Sequence, residues 1–229
     1  MTQELAVAPT GRAGGRFRST LVPDRATWTL LRPFWFATAG QAVRPIDVAV
    51  LGVVAGTAAA GTFAPASRLV PALMLVPFTY TQLLLGRISA GQAGLTARRL
   101  IGVAVVATAS FVTLAVLADV WVPLLLGEDY LASVDVIRVV VASMVFATVS
   151  SAIASALHAT DGAAYVAAAV WTSATITIVL VAVLGTTYGA LGAAGAVATG
   201  YLVQFVLMAL LHRARMATLD RTAHSTSAT

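Results

Sequence analysis

The chain has 229 residues, of which 59% are hydrophobic and 10% charged, with a mean hydropathy of +0.90. A soluble domain carries about 25% charged residues, so this chain lacks the polar surface to coat a water-soluble globule; a cytosolic enzyme and a disordered chain are both excluded. The net charge is +5, and the absence of cysteine removes disulfides, thiolate metal sites and thiol nucleophiles.

Residues 1–27 hold Arg12, Arg16, Arg18 and Arg25 among Gly, Pro and Thr. A secretory signal needs a short apolar run directly behind its positive charges; the first apolar run here begins only near Trp28. The stretch is expected to be a flexible cytoplasmic tail. Six apolar segments follow, at about 28–53, 62–86, 100–125, 132–157, 162–186 and 190–212. Each is long enough to cross about 30 Å of hydrocarbon as a helix. Gly-rich or Gly-Glu-Asp stretches separate them, as turns require. Residues 214–229 form a second polar tail, and a short interfacial helix is expected over 88–99.

Every basic residue is Arg. Arg12, Arg16, Arg18 and Arg25 precede the first segment and Arg32 stands at its start, Arg87, Arg98 and Arg99 lie between the second and third, and Arg213, Arg215 and Arg221 follow the sixth. The alternate loops have none, and one carries Glu128 and Asp129. Positive charge stays on the cytoplasmic side. The expected protein is therefore all-α, crosses the cytoplasmic membrane six times and keeps both termini inside. Arginine so placed marks topology, and nucleic acid is not an expected partner. Trp121, Tyr130 and Tyr188 suit the outer interface; Trp28, Trp35 and Tyr165 suit the inner one.

Among the ionisable residues inside these segments, four stand out: Arg44, Asp47, Arg68 and Arg138. A charge at the centre of a membrane helix costs at least about 2.5–3.5 kcal/mol, so each is a candidate functional residue. Counted from the segment ends, all four share the outer half of the membrane. Gln41, Arg44 and Asp47 recur every three residues and so share one helix face, which Thr38 extends inward. The bland alternatives are Arg side chains that snorkel to the interface and an ion pair of Asp47 with Arg44 or Arg68. Gln41, Arg44, Asp47, Arg68 and Arg138 are the candidate substrate-binding set. Arg44, Asp47 and Arg68 are expected to face the bundle interior or an open groove.

Pro45 stands beside Arg44, and Pro65, Pro71 and Pro77 recur every six residues in the second segment. Proline removes a helix hydrogen bond and bends the helix, which membranes tolerate beside polar groups or cavities. Gly52 and Gly56 form a GxxxG, a packing signal. Ser150, Ser151 and Ser155 are expected to bond their own helix backbone. No metal-ligand cluster, Walker loop or nucleophile elbow is present, and His158, His212 and His224 are scattered; neither metal, cofactor nor catalytic residue is expected.

Three stretches resemble the polysaccharide flippases, the Wzx-like branch of the multidrug/oligosaccharidyl-lipid/polysaccharide exporter superfamily. The first runs from Asp47 through Gly52 and Gly61 to Phe63, Ala66, Arg68 and Leu69. The second is Leu124-Leu125-Leu126-Gly127 with Tyr130 and Ala132. The third joins His158 to Gly162 and Tyr188-Gly189 to Gly192-Ala193-Ala194. Phe63 stands where the family has Tyr, and the family's basic residue after Gly162 is missing. The resemblance covers residues 28–213 and implies one six-helix lobe of a MATE-like fold, the second lobe of a two-lobe transporter. It further implies movement of a polyprenyl-diphosphate-linked oligosaccharide between leaflets, with membrane lipid and a second six-helix lobe as partners. That lobe is a separate chain or a second copy. It also matches Arg68 and Asp47 to family positions; Arg44 and Arg138 come from the residue reading alone. The alternatives are a truncated, non-transporting membrane scaffold and an unrelated six-span enzyme or channel.

Overall fold

A computed structural model describes the backbone of residues 25–89, 97–159 and 162–227. It is almost entirely helical. Two units are distinguished, Met1–Arg32 and Pro33–Thr229. Of the first, only residues 25–32 are described, as the opening turns of α1, so Arg12, Arg16 and Arg18 lie outside. Everything below concerns the second.

The helices are α1 (Arg25–Val43), α2 (Ile46–Ala55), α3 (Thr57–Ser89), α4 (Ala97–Val116), α5 (Ala118–Leu126), the 3₁₀ turn η1 (Glu128–Ser133), α6 (Val134–Ala159) and α7 (Ala163–Ser227). Helix α7 is two helical arms, 163–188 and 190–227, meeting at the non-helical Gly189 (φ 58°, ψ −136°). Among the described residues, Phe34–Ala55, Glu128–His158 and Ala163–Thr218 are long and apolar enough to cross a membrane. A fourth crossing is added if α4 and α5, bent by 71°, count as one span. The segment expected at 62–86 lies within α3 and is not among them. Most of the interfacial helix expected over 88–99 falls on residues 90–96, outside the described residues. The expected tail after 213 is helical to Ser227, since no Gly or Pro interrupts it and Thr218 bonds back to the carbonyls of Ala214 and Arg215.

Helix α6 is the hub. It packs against α3, α4 and α7, while α2 packs against α3 and α7. Between Arg138 and His158 its sequence is apolar or small all round, as a helix packed on several sides must be. Close approach comes from glycine. A Cβ on Gly40 would lie 2.7 Å from Val170 Cγ1, and one on Gly185 would lie 2.7 Å from Leu51 Cδ1, so α1 and α2 lean directly on α7. Trp171 reinforces this by donating its indole N–H to the Phe36 carbonyl at 2.9 Å. Gly56 does not serve as half of a packing motif: at φ 89° it ends α2.

The apolar core has two parts. One gathers Leu51, Phe63, Phe111, Ile137, Met144, Val181 and Tyr201; the other gathers Ala37, Ile153, Leu157, Val170 and Met208. Between them along the chain stand polar residues: Arg44 between Ala37 and Leu51, Ser173 between Val170 and Val181, Gln204 between Tyr201 and Met208. A polar layer therefore crosses an otherwise apolar bundle. The serines of α6 do not complicate it. Ser150, Ser151 and Ser155 donate to the carbonyls of Phe146, Ala147 and Ser151, four residues back.

The bend between α4 and α5 contains neither Gly nor Pro. It strands carbonyls that a straight helix would pair with the N–H groups four residues on. The Trp121 indole N–H takes the Leu114 carbonyl at 2.7 Å, and Arg138 Nε takes that of Ala115 at 3.2 Å. Trp121, expected as an interfacial anchor, is thus partly buried at the bend. Arg138 also pairs with Asp119 at 2.6 Å and Asp135 at 2.7 Å. Both aspartates sit in the first turn of their helices, where the helix dipole favours an anion. Arg138 thus staples α5 to α6. Because the three side chains are substantially exposed, solvent screens the network. Arg138→Ala is expected to cost only about 1 kcal/mol in stability. It should nonetheless raise amide hydrogen exchange over residues 117–121 well above that of the rest of the bundle. Unchanged exchange there would show that the guanidinium does not hold the bend.

Candidate functional site

The site starts from Pro45, which lacks an N–H and cannot continue helix α1. The chain answers with two tight turns: Arg44 N–H donates to the Gln41 carbonyl at 3.3 Å, and Asp47 N–H donates to the Arg44 carbonyl at 3.1 Å. Such three-residue turns eclipse side chains at i and i+3. The spacing of Gln41, Arg44 and Asp47 therefore aligns them because the helix breaks here. All three line one cavity of about 220 Å³, with Phe63, Ser67, Pro71, Ser151, Thr177, Tyr201 and Gln204 among its other walls. Thr38 is exposed and is not among the lining residues.

Arg44 is half-buried and reaches across the bundle. Its Nη2 donates to Ser173 Oγ at 3.2 Å and, through a close contact, to Gln204 Oε1. Its Cζ lies 4.4 Å from the centre of the Tyr201 ring, a cation–π distance. Ser173 Oγ donates to the Val170 carbonyl at 2.9 Å, with a longer bond to Gln204 Oε1 at 3.4 Å, and its oxygen accepts from Arg44. Arg44 Nε is buried with no hydrogen-bond partner, while the Tyr201 side chain also forms a hydrogen bond with the guanidinium. The guanidinium is thus engaged by neutral groups and, among the described residues, makes no direct ion pair.

Asp47 is buried. It accepts the Val48 N–H at 2.7 Å and a hydrogen bond from Ser67. Arg44 contributes a favourable charge interaction, but among the described residues neither Arg44 nor Arg68 forms a direct ion pair with it. Ser67 also matters through its backbone. Pro71 stands four residues on and offers no N–H, so the helix bond to the Ser67 carbonyl is lost next to the cavity. Helix α3 nevertheless runs unbroken from Thr57 to Ser89 through Pro65, Pro71 and Pro77.

The four charged candidates therefore separate. Arg44 and Asp47, with Gln41, meet at the cavity. Arg68 is exposed and is not among the lining residues, because Ser67 faces inward and the next residue of an α-helix turns about 100° away. It makes no hydrogen bond or ion pair among the described residues. Arg138 is occupied at the bend of α4 and α5, away from the cavity. Sequence reasoning missed Ser67, Ser173, Tyr201 and Gln204. The signal for Gln204 was present, as the one side-chain amide within the apolar run 190–212.

The arrangement can bind an oxyanion, through a half-buried cation with an unpartnered Nε–H and flanking hydroxyl and amide donors. Among the described residues no group of three or more His, Cys, Asp or Glu is placed to hold a metal. Comparison with protein-family models, with curated proteins and with solved structures finds no match.

Proposed function

We propose that this chain is one lobe of a membrane transporter that takes part in moving polyprenyl-diphosphate-linked saccharides across the cytoplasmic membrane. In this reading α1–α2, α3, α4–α5, α6 and the two arms of α7 make six crossings, with both termini in the cytoplasm. The observation that carries it is Arg44: a half-buried guanidinium at a broken helix, lining a cavity and held by neutral acceptors without a direct ion pair among the described residues. Broken helices flank the substrate sites of many transporters, and Arg matches phosphate geometry while keeping its charge when desolvated.

The cavity also sets the scale of the ligand. At about 220 Å³ it is smaller than the roughly 300–1,000 Å³ of ordinary small-molecule sites. It holds a diphosphate head, not the attached saccharide. A second lobe facing this one would enclose the remainder. Exposed Arg68 supports such a partner, since a bare guanidinium in hydrocarbon costs at least about 2.5–3.5 kcal/mol.

The test is reconstitution into liposomes at controlled density. A short isoprenyl diphosphate carrying a photoreactive group is expected to label the purified chain. Flipping of a fluorescent polyprenyl-diphosphate disaccharide is expected to be absent in vesicles holding one chain each. Flipping by single chains would overturn the half-transporter reading, and failure of the diphosphate to bind would overturn the substrate assignment.

A further inference from the structure

Arg44 does more than line the cavity: it joins the two arms of α7. Ser173 lies on the arm before Gly189, and Gln204 and Tyr201 lie on the arm after it. At Gly189 helical geometry fails and φ is positive, so the backbone there is a joint between rigid arms. Arg44 Nη2 bonds both arms, and Gln204 Oε1 also accepts a longer hydrogen bond from Ser173 Oγ at 3.4 Å, so Gln204 is the acceptor through which both links run.

The chemistry of that tie is unusual for a structural clamp. A cation meant only to brace two helices is held most strongly by a carboxylate. Here both ligands are neutral, and Asp47, which faces the same cavity, makes no ion pair with Arg44. Gln204 satisfies a donor without cancelling the charge. An entering oxyanion therefore has the stronger bond to Nη2, and it also offers an acceptor to the unpartnered Nε. Gln41, Ser67 and the Tyr201 ring are neutral, so Asp47 is the one anionic group in the cavity wall that opposes the newcomer.

We infer that Gln204 is a displaceable internal ligand of Arg44, released when an oxyanion binds, so that occupancy of the cavity unties the two arms of α7 about Gly189. This rests on the reading of the cavity as an anionic head-group site. It adds a positioning residue, Gln204, and a direction of coupling: an anion in the cavity loosens the arms.

The sign of one substitution separates this from a merely orienting role. If Gln204 holds Arg44 in place for the ligand, removing it weakens binding; if it competes, removing it strengthens binding. The chain has no cysteine, so spin labels can be placed at Ala168→Cys and Leu210→Cys, exposed sites on opposite arms and far from Gly189. The probes are inorganic pyrophosphate and a short isoprenyl diphosphate, measured by titration and by pulsed electron–electron distance distributions. In the wild type, bound probe is expected to shift or broaden the distribution. Gln204→Leu should show that broadened distribution without ligand and bind about tenfold tighter. Gln204→Glu, which supplies a carboxylate, should narrow the distribution and bind at least about tenfold weaker. A response to pyrophosphate places the effect in the oxyanion alone, and a response only to the isoprenyl form adds the lipid tail; either supports displacement. Weaker binding by Gln204→Leu, or a distribution unchanged by both substitutions, overturns it. Arg44→Ala is the control for the underlying reading. Binding equal to wild type there would remove the cavity as an anion site, a different failure from that of the Gln204 inference.

Discussion

Arg44→Ala is expected to abolish most of the affinity for a diphosphate lipid. A hydrogen bond to a charged group contributes about 1.5–3 kcal/mol, so each one lost weakens binding by about 10- to 100-fold. The ligand reaches the same guanidinium through more than one N–H, and the loss should lie at the upper end of that range. Arg44→Lys keeps the charge but not the planar fork, and Lys carries a tighter hydration shell. It is expected to recover binding only in part. Truncation also leaves Gln204 Oε1 without its charged donor inside the bundle, so stability should fall as well, and the two effects must be read apart. Titration of a short isoprenyl diphosphate into both variants, at a temperature where both remain folded, does this. Equal affinity for wild type and Arg44→Ala would exclude Arg44 from any binding role.

The second large effect concerns packing. A Cβ built on Gly200 would stand 1.8 Å from Thr177 Oγ1 and 3.1 Å from Thr177 Cβ. Thr177 is buried, β-branched, and bonded through its hydroxyl to the Ser173 carbonyl at 2.8 Å. It cannot rotate away without giving up that bond. Gly200→Ala must therefore push the two arms of α7 apart, next to the layer where Arg44 bridges them. Overpacking of this kind costs about 1–3 kcal/mol, and the distance to Oγ1 places Gly200→Ala toward the top of that range. For a chain of this length that is a fall of roughly 2–4 °C in unfolding midpoint for each kcal/mol. Thr177→Ala removes the atom in the way. The double substitution Gly200→Ala with Thr177→Ala should recover most of the loss, with a coupling of about 1 kcal/mol or more. Strict additivity of the two changes would show that the arms do not meet at this pair.

Arg44 and Gly200 differ in how far local pattern could reveal them. The charge of Arg44 in an apolar run, its neighbour Pro45, and its spacing from Gln41 and Asp47 are all readable within seven residues. They led to the cavity wall even though the reason was different. A helical face bent at Pro45 was expected to align the three, whereas the proline-driven pair of tight turns does so. The crowding at Gly200 has no such local sign. Among several glycines in that segment it alone meets Thr177, and Gly195 five residues earlier has nothing within 4 Å.

What the chain alone determined is what short-range chemistry controls. Apolar composition demands helices whose backbone bonds close within the segment. Pro45 disturbs the helix it enters, Gly127 opens the break after α5, and hydroxyls in α6 bond back to their own turn. Tertiary structure decided everything that depends on which faces meet. Arg44 finds Ser173 and Gln204 at 129 and 160 residues' separation. Arg138 is drawn to a bend at Leu117 that no Gly or Pro announces, because packing against α6 and the carbonyls of Leu114 and Ala115, not local propensity, sets it. Arg68, alike in charge and expected depth, is turned outward by the single residue that turns Ser67 in. The division follows from the range of the forces. Hydrogen-bond closure and proline sterics act within one helical turn, while the partner of a buried charge is chosen by the packing of helices distant in sequence.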